Sequence, residues 1–133
     1  MKSWVWMVTV GSLFLFASFG VGLGADAKPL KKTPDLVDLG KKLYEQNCVP
    51  CHGAKGEGKG ALANTLTPHP SDFALPLKDW PNTKGNPEKI FEVITKGIPN
   101  SAMVGWQQLS DKERWGLVYR VMEFSAPSGR KGK

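Results

Sequence analysis

An all-α fold is the class the sequence predicts, on three observations. No stretch of useful length alternates apolar and polar residues with the period of two that marks a half-buried strand. Three segments instead repeat apolar residues at helical spacing, and no internal repeat joins them. Each opens on a residue that caps a helix: Thr33 before Pro34, Asn86 before Pro87, and Ser110 three residues ahead of Glu113. Hydrophobic residues make up 41% of the 133 and charged residues 23%, the proportions of an ordinary globular chain, so one domain is expected.

The chain begins with Lys2, an apolar run over residues 4–19, a thinning into glycines, and Ala25-Asp26-Ala27. A basic start, an apolar run and an A-x-A site read as a secretory signal peptide over residues 1–27, cleaved before Lys28. Residues 4–23 also reach the length of about 20 needed to cross a bilayer, so an uncleaved anchor is the alternative. Thr9, Ser12 and Ser18 inside the run favour cleavage. Both readings place the folded part outside the cytoplasm, in the periplasm, with membrane contact only if the leader is kept. The net charge of +6 survives loss of the leader, because Lys2 and Asp26 leave together. That charge suits an acidic protein partner or a generally solvated basic surface. Nucleic acid is a poor reading of it, since no basic helix and no aromatic-interleaved basic stripe is present.

Residues 28–33 read as a linker. From Pro34 the first helix carries Leu36, Leu39, Gly40, Leu43 and Tyr44 on one stripe, and the missing side chain at Gly40 admits another helix closely. It runs through Gln46-Asn47 into Cys48-Val49-Pro50-Cys51-His52. Two thiols three positions apart followed at once by an imidazole read as a c-type haem attachment site. Cys48 and Cys51 can each add across one vinyl group of the same porphyrin, forming thioethers, which leaves His52 beneath the ring to ligate the iron. A simple disulfide, a thioredoxin-like dithiol or a zinc site are the alternatives. The first two leave His52 unexplained. The dithiol reading also wants a helix where Gly53, Gly56, Gly58 and Gly60 follow, and zinc lacks ligands when His69 is the one other histidine.

The glycine loop is expected to wrap close to the flat ring, and residues 61–66 to form a short helical turn. Pro68-His69-Pro70 is too stiff for regular structure, and His69 reads as an exposed or packing loop residue in preference to a second axial ligand. Phe73, Leu75, Leu77 and Trp80 are expected to line the pocket, with the Trp80 indole N–H offered to a haem carboxylate. A second, short helix follows Asn86, with Ile90, Phe91, Val93 and Ile94 apolar and Gly97 as its stop. Met103 lies in the irregular segment beyond it. A methionine is commonly a gap-filling core residue. Here the iron face away from His52 needs a ligand, and a thioether well downstream of the attachment motif is a standard one. Met1 and Met7 lie in the leader, and Met122 falls on the stripe of the last helix with Trp115, Val118 and Tyr119, where Tyr119 is expected to pack on Gly40 and Tyr44. The basic residues 126–133 form a tail expected to be disordered.

Taken together, the first helix with Gly40 and Tyr44, the Cys48-Val49-Pro50-Cys51-His52-Gly53 motif, the Pro68-His69-Pro70-Ser71-Asp72-Phe73 segment, Gly97, Met103, Trp106 and the closing helix resemble the class I c-type cytochromes, small His/Met-ligated monohaem proteins. The resemblance covers nearly the whole chain after the leader. It implies a cytochrome c fold over residues 34–125, with three main helices and loops around one covalently attached haem and the first and last helices crossing. It also implies thioethers at Cys48 and Cys51 and iron ligation by His52 and Met103. Relatives often have proline where Ala61 stands, its carbonyl accepting a hydrogen bond from the ligand histidine, and proline again where Val104 follows the methionine.

The function expected is that of a one-electron carrier and not an enzyme in its own right, since no nucleophile–base pair or carboxylate pair is evident and both axial positions are filled by protein. It would act as a monomer that docks transiently with redox partner proteins at the haem edge. Two alternatives stand beside it. One is a haem-bearing subunit through which electrons enter a periplasmic or membrane-associated oxidoreductase complex; the other is a sensor or peroxidase in which Met103 leaves the iron.

Overall fold

The computed structural model describes residues 28–125; the leader expected over residues 1–27 and the tail expected over 126–133 lie outside the described residues. Helices α1 (Pro34–Asn47), α2 (Val49–His52), α3 (Pro87–Lys96) and α4 (Asp111–Phe124) are joined by irregular segments holding two 3-10 turns, Ala63–Thr65 and Leu77–Asp79. Among the described residues β pairing is confined to one isolated bridge between Gly97 and Val104. The chain is all-α, as the sequence predicts.

The caps sit where the sequence put them. Thr33 Oγ1 accepts from the Leu36 N–H at 3.3 Å, and Asn86 Oδ1 accepts from the Lys89 N–H at 2.9 Å. At α4 the box is reciprocal: the Ser110 N–H donates to Glu113 Oε2 at 2.8 Å and the Glu113 N–H to Ser110 Oγ at 3.3 Å. These bonds satisfy N–H groups that a helix start otherwise leaves without partners. Gly97, at φ 74°, closes α3 in a backbone region that side chains resist.

Helices α1 and α4 make the most extensive helix contact of the molecule. At their crossing a Cβ on Gly40 would lie 2.0 Å from the Gly116 carbonyl oxygen, so backbone meets backbone. The residue facing Gly40 is thus Gly116 and not Tyr119, which corrects the sequence expectation. Tyr119 lies at the edge of α4, where its hydroxyl donates to the Leu30 carbonyl at 2.5 Å. With Lys32 bridged to Glu123 at 3.4 Å, that bond holds part of the segment read as a linker against α4.

The buried arc of α4 is wider than its i, i+3, i+4 pattern suggests: Trp115, Gly116, Leu117, Val118 and Val121 are all buried. The reason is that α4 packs on α1 and on α3. On the α3 side Phe91 stacks on Trp115 with centroids 4.8 Å apart, and the Arg114 guanidinium lies 5.0 Å over the Phe91 ring. Tyr44 joins α1 to the other end of α4 through Phe124, 5.0 Å away between centroids.

Candidate functional site

Cys48 caps the C-terminus of α1, and its N–H donates to the Tyr44 carbonyl at 2.9 Å. One further turn, α2, then brings Cys51 and His52 round to the same side. Both thiols are free, half-buried and on the wall of one cavity together with His52. Burial first, and then the neighbouring Cys51 charge, pushes the Cys48 thiol from its ordinary 9.0 up to about 12.

The loop after His52 does not do what the sequence suggested. Among the described residues no glycine lines the cavity. Instead the loop folds back on the attachment turn: the Gly58 N–H donates to the His52 carbonyl at 2.8 Å, Gly60 to Cys51 at 3.1 Å, and Leu62 to Pro50 at 2.9 Å. A four-residue helix leaves its carbonyls without partners, and this loop supplies them. The glycines are needed for closeness to that backbone, since a Cβ on Gly60 would come 2.3 Å from the Pro50 carbonyl oxygen. Behind the turn, the Tyr44 hydroxyl donates to the Gly53 carbonyl at 2.8 Å, and burial raises its pKa above the ordinary 10.0.

The His52 ring is fixed from two directions. Phe73 stacks on it with centroids 4.6 Å apart and planes inclined by 18°. Its Nδ1 lies 3.3 Å from the Ser71 carbonyl oxygen. A carbonyl only accepts, so Nδ1 carries the proton and Nε2 keeps a free lone pair. Burial lowers the pKa of His52 from 6.5, against the opposing Ser71 bond, and so favours the neutral ring that a metal requires. The acceptor is the Ser71 carbonyl and not that of Ala61, whose neighbours 60 and 62 are tied to Cys51 and Pro50. The Ser71 segment is held in place by the Phe73 N–H, bonded to the Gly56 carbonyl at 2.6 Å, and by Asp72 Oδ1, which accepts from the Ala74 N–H at 2.8 Å.

Met103 reaches the same cavity from the loop after α3. That loop lacks the proline often found after the ligand methionine in relatives, yet it is tightly braced. The Ile98 N–H donates to the Met103 carbonyl at 3.0 Å, Ser101 Oγ bridges the Ile98 carbonyl and the Met103 N–H at 2.8 and 3.1 Å, and the Trp106 N–H ties to the Ile94 carbonyl at 2.9 Å. His69 is exposed at the rim, its Nδ1 3.2 Å from the Pro70 carbonyl oxygen.

Two pocket expectations need correction. Phe73 and Trp80 line the cavity, but Leu75 and Leu77 do not. Leu75 is exposed, and its carbonyl accepts from the Trp80 indole N–H at 3.0 Å. The indole N–H is therefore already spent and is not offered to a haem carboxylate. Asn82 and Thr83 line the cavity although no sequence signal marked them. Both sit in a turn that only the tertiary path brings to this edge.

The cavity measures about 260 Å³ and is walled largely by apolar side chains, among them Phe73, Ile90, Ile94, Ile98, Leu117 and Val121. A flat apolar ring suits such a wall. An imidazole, a thioether sulfur and two thiols all line the one cavity, side-chain types that a haem can use.

Fold and site together define a c-type cytochrome domain, an electron-transfer haem protein. The chain belongs to the family described as cytochrome c oxidase, cbb3-type, subunit III, which it matches over residues 35–119. It is 32% identical over 96 residues to the cbb3-type cytochrome c oxidase subunit CcoP of Rubrivivax gelatinosus, a match covering 68% of this chain and 27% of that protein. Against the thiosulfate dehydrogenase of Thiomonas intermedia (strain K12) the identity is 29% over 92 residues, covering 67% of this chain and 26% of that protein. The chain thus spans about a quarter of the length of these curated relatives. Among solved structures, a chain of the reducing HAO-like protein complex of Kuenenia stuttgartiensis superposes with a TM-score of 0.69 at 29% identity, over 76% of this chain and 49% of that one.

Proposed function

We propose that this chain carries one electron at a time on a single haem c, bound covalently through Cys48 and Cys51, with His52 and Met103 as the axial ligands. The observation that carries the reading is the arrival of His52 and Met103 at one cavity from two separate elements, with both thiols on its wall. The bound group supplies reversible one-electron exchange at iron. The protein's part is to fill both axial positions, which leaves none for a substrate, and to keep the surroundings apolar. Thioether ligation favours a higher potential than a second imidazole would. By this reading the chain is not itself an enzyme.

An absorption spectrum of the oxidised and reduced protein, with a denatured mass that includes the haem, tests it. A protein whose haem is removed by acid extraction would sink the covalent assignment. Carbon monoxide binding rapidly to the native reduced form would sink the closed sixth position and favour the sensor or peroxidase reading.

The working partners are redox proteins, met at the rim where Pro68, His69, Pro81, Ala102 and Val104 are exposed. Transient docking of a monomer is the form we favour. A second form has specific support: the curated relatives include an oxidase subunit and a dehydrogenase, each much longer than this chain. In it, the chain is the haem subunit through which electrons enter an oxidoreductase complex. Purification as a stable stoichiometric complex supports that form, and a free monomer exchanging electrons with added partners supports the first. The domain over residues 34–125 would work outside the cytoplasm, in the periplasm, delivered by the leader over residues 1–27 and followed by the tail over residues 126–133. An intact mass that begins at Met1 would establish an anchor in place of cleavage.

A further inference from the structure

Thr83 stands out on the cavity wall. It is the buried polar side chain of the described core, at 7% exposure. Its Oγ1 accepts a long bond from the Gly85 N–H at 3.4 Å, and among the described residues its own O–H proton meets no acceptor. A buried hydroxyl left without an acceptor loses its bond to water with no return, unless a ligand takes that proton. Several other polar side chains of the wall are committed, although the Ser71 hydroxyl and the Trp106 indole N–H, both half-buried, are not bonded among the described residues. The Tyr44 hydroxyl donates to Gly53, Asn47 Nδ2 to Leu43, and Ser101 Oγ to Ile98. Asn82, next to Thr83 and exposed at the rim, has no hydrogen-bond partner among the described residues.

A haem c also brings two carboxylates, and this wall offers them no cation. Among the described residues that line the cavity, none is lysine, arginine, aspartate or glutamate. The turn over residues 81–85 is built rigidly for another solution. The Lys84 N–H bonds the Trp80 carbonyl at 3.1 Å, the Asn86 N–H bonds the Thr83 carbonyl at 3.0 Å, and Trp80 beneath it is 2% exposed. Lys84 is held at φ 50° to make this path, a conformation that costs a non-glycine residue energy and so requires support around it.

We propose that the turn over residues 81–85 is the carboxylate-binding edge of the cavity, with the Thr83 hydroxyl donating to a carboxylate of the bound porphyrin and the Asn82 amide beside it at the rim. The inference rests on the haem reading above. It orients the ring, because the carboxylate edge then faces the segment between Trp80 and α3. It also makes the neutral donors of the wall the means of holding that charge there, while Lys84 of the same turn is exposed and off the wall. Withdrawing a donor leaves the carboxylate charge less dispersed, which stabilises the ferric state and lowers the potential.

The test uses the haem-loaded protein and the variants Thr83→Val, Thr83→Ser and Asn82→Ala. Haem stoichiometry and covalent attachment are measured first, so that failure of the haem reading shows in the wild type before any variant is compared. The carboxylate bending vibrations by resonance Raman and the reduction potential are then read on each protein. Thr83→Val is expected to shift the carboxylate band and lower the potential, Thr83→Ser to restore both, and Asn82→Ala to move both less, in the same direction. A fully loaded Thr83→Val protein with unchanged band and potential overturns the proposal. If Thr83→Val does not fold, Thr83→Ala replaces it, and the same unchanged readings overturn the proposal equally.

Discussion

Met103 and His52 are held by different means, and substitution should separate them. His52 is clamped by Phe73 and the Ser71 carbonyl, whereas Met103 depends on the brace that Ser101 provides. Met103→Ala is expected to abolish the long-wavelength ferric band of thioether ligation and to lower the potential by a sizeable part of the roughly 0.8 V over which axial ligands tune haem. Spectroelectrochemistry checks both. Ser101→Ala should weaken the same band without removing it.

In the haem-free protein the Cys48 thiol gives a pH signature. Its pKa rises from 9.0 unfolded to about 12 folded, so between those values the unfolded chain releases a proton that the folded chain keeps. Stability contributed by the neutral thiol is therefore full below about pH 9 and lost as pH rises through about 12. Tyr44, raised by burial, acts in the same direction at higher pH. Denaturant midpoints measured from pH 8 upward on the haem-free protein should fall, and fall less in Cys48→Ala.

At the scale of elements, the α1–α4 crossing is the joint most sensitive to volume. Gly40→Ala puts a methyl into the Gly116 carbonyl, backbone that has no rotamer to escape into, and should cost about 3 kcal/mol or more by chemical denaturation. Gly116→Ala meets its nearest atom, the Leu36 carbonyl oxygen, at 2.8 Å and should cost less. Because α1 ends at Cys48, Gly40→Ala should also lower the fraction of chains that carry haem. Ser110→Ala removes one half of a capping box at the surface and is expected to cost about 1 kcal/mol with spectrum and potential unchanged. The contrast between these substitutions distinguishes a joint that positions the site from a cap that only stabilises its helix.

Across the whole molecule, charge and cavity are separate features. The chain carries +6 overall, yet among the described residues no lysine or arginine lines the cavity. Steering by that charge should make electron exchange with an acidic partner slow as salt rises, because surface charges are screened within about 10 Å at 0.1 M. Stopped-flow rates over a salt series measure this, and a flat series would assign the basic surface to solvation alone.

Much of this was legible from the residue order, for identifiable reasons. Caps, helix starts and the Gly97 stop are set by neighbours within four residues, so Thr33, Asn86, Ser110 and Glu113 announced three helices correctly. The attachment motif is local in the same way. Long-range partners were not legible. Nothing near Gly40 in the chain points to Gly116, and nothing near His52 points to the Ser71 carbonyl, 19 residues on. The same limit explains Trp80, whose indole N–H found the Leu75 carbonyl once the intervening 3-10 turn folded. It explains the glycine loop, which serves the carbonyls of α2 and not the cavity. The sequence by itself determined the helices, the motif and the residue types able to bind haem, because those depend on short-range backbone and side-chain chemistry. Only the tertiary structure decided which carbonyl orients His52, that Met103 shares its cavity, and that Asn82 and Thr83 line it, because those depend on how distant segments come together in space.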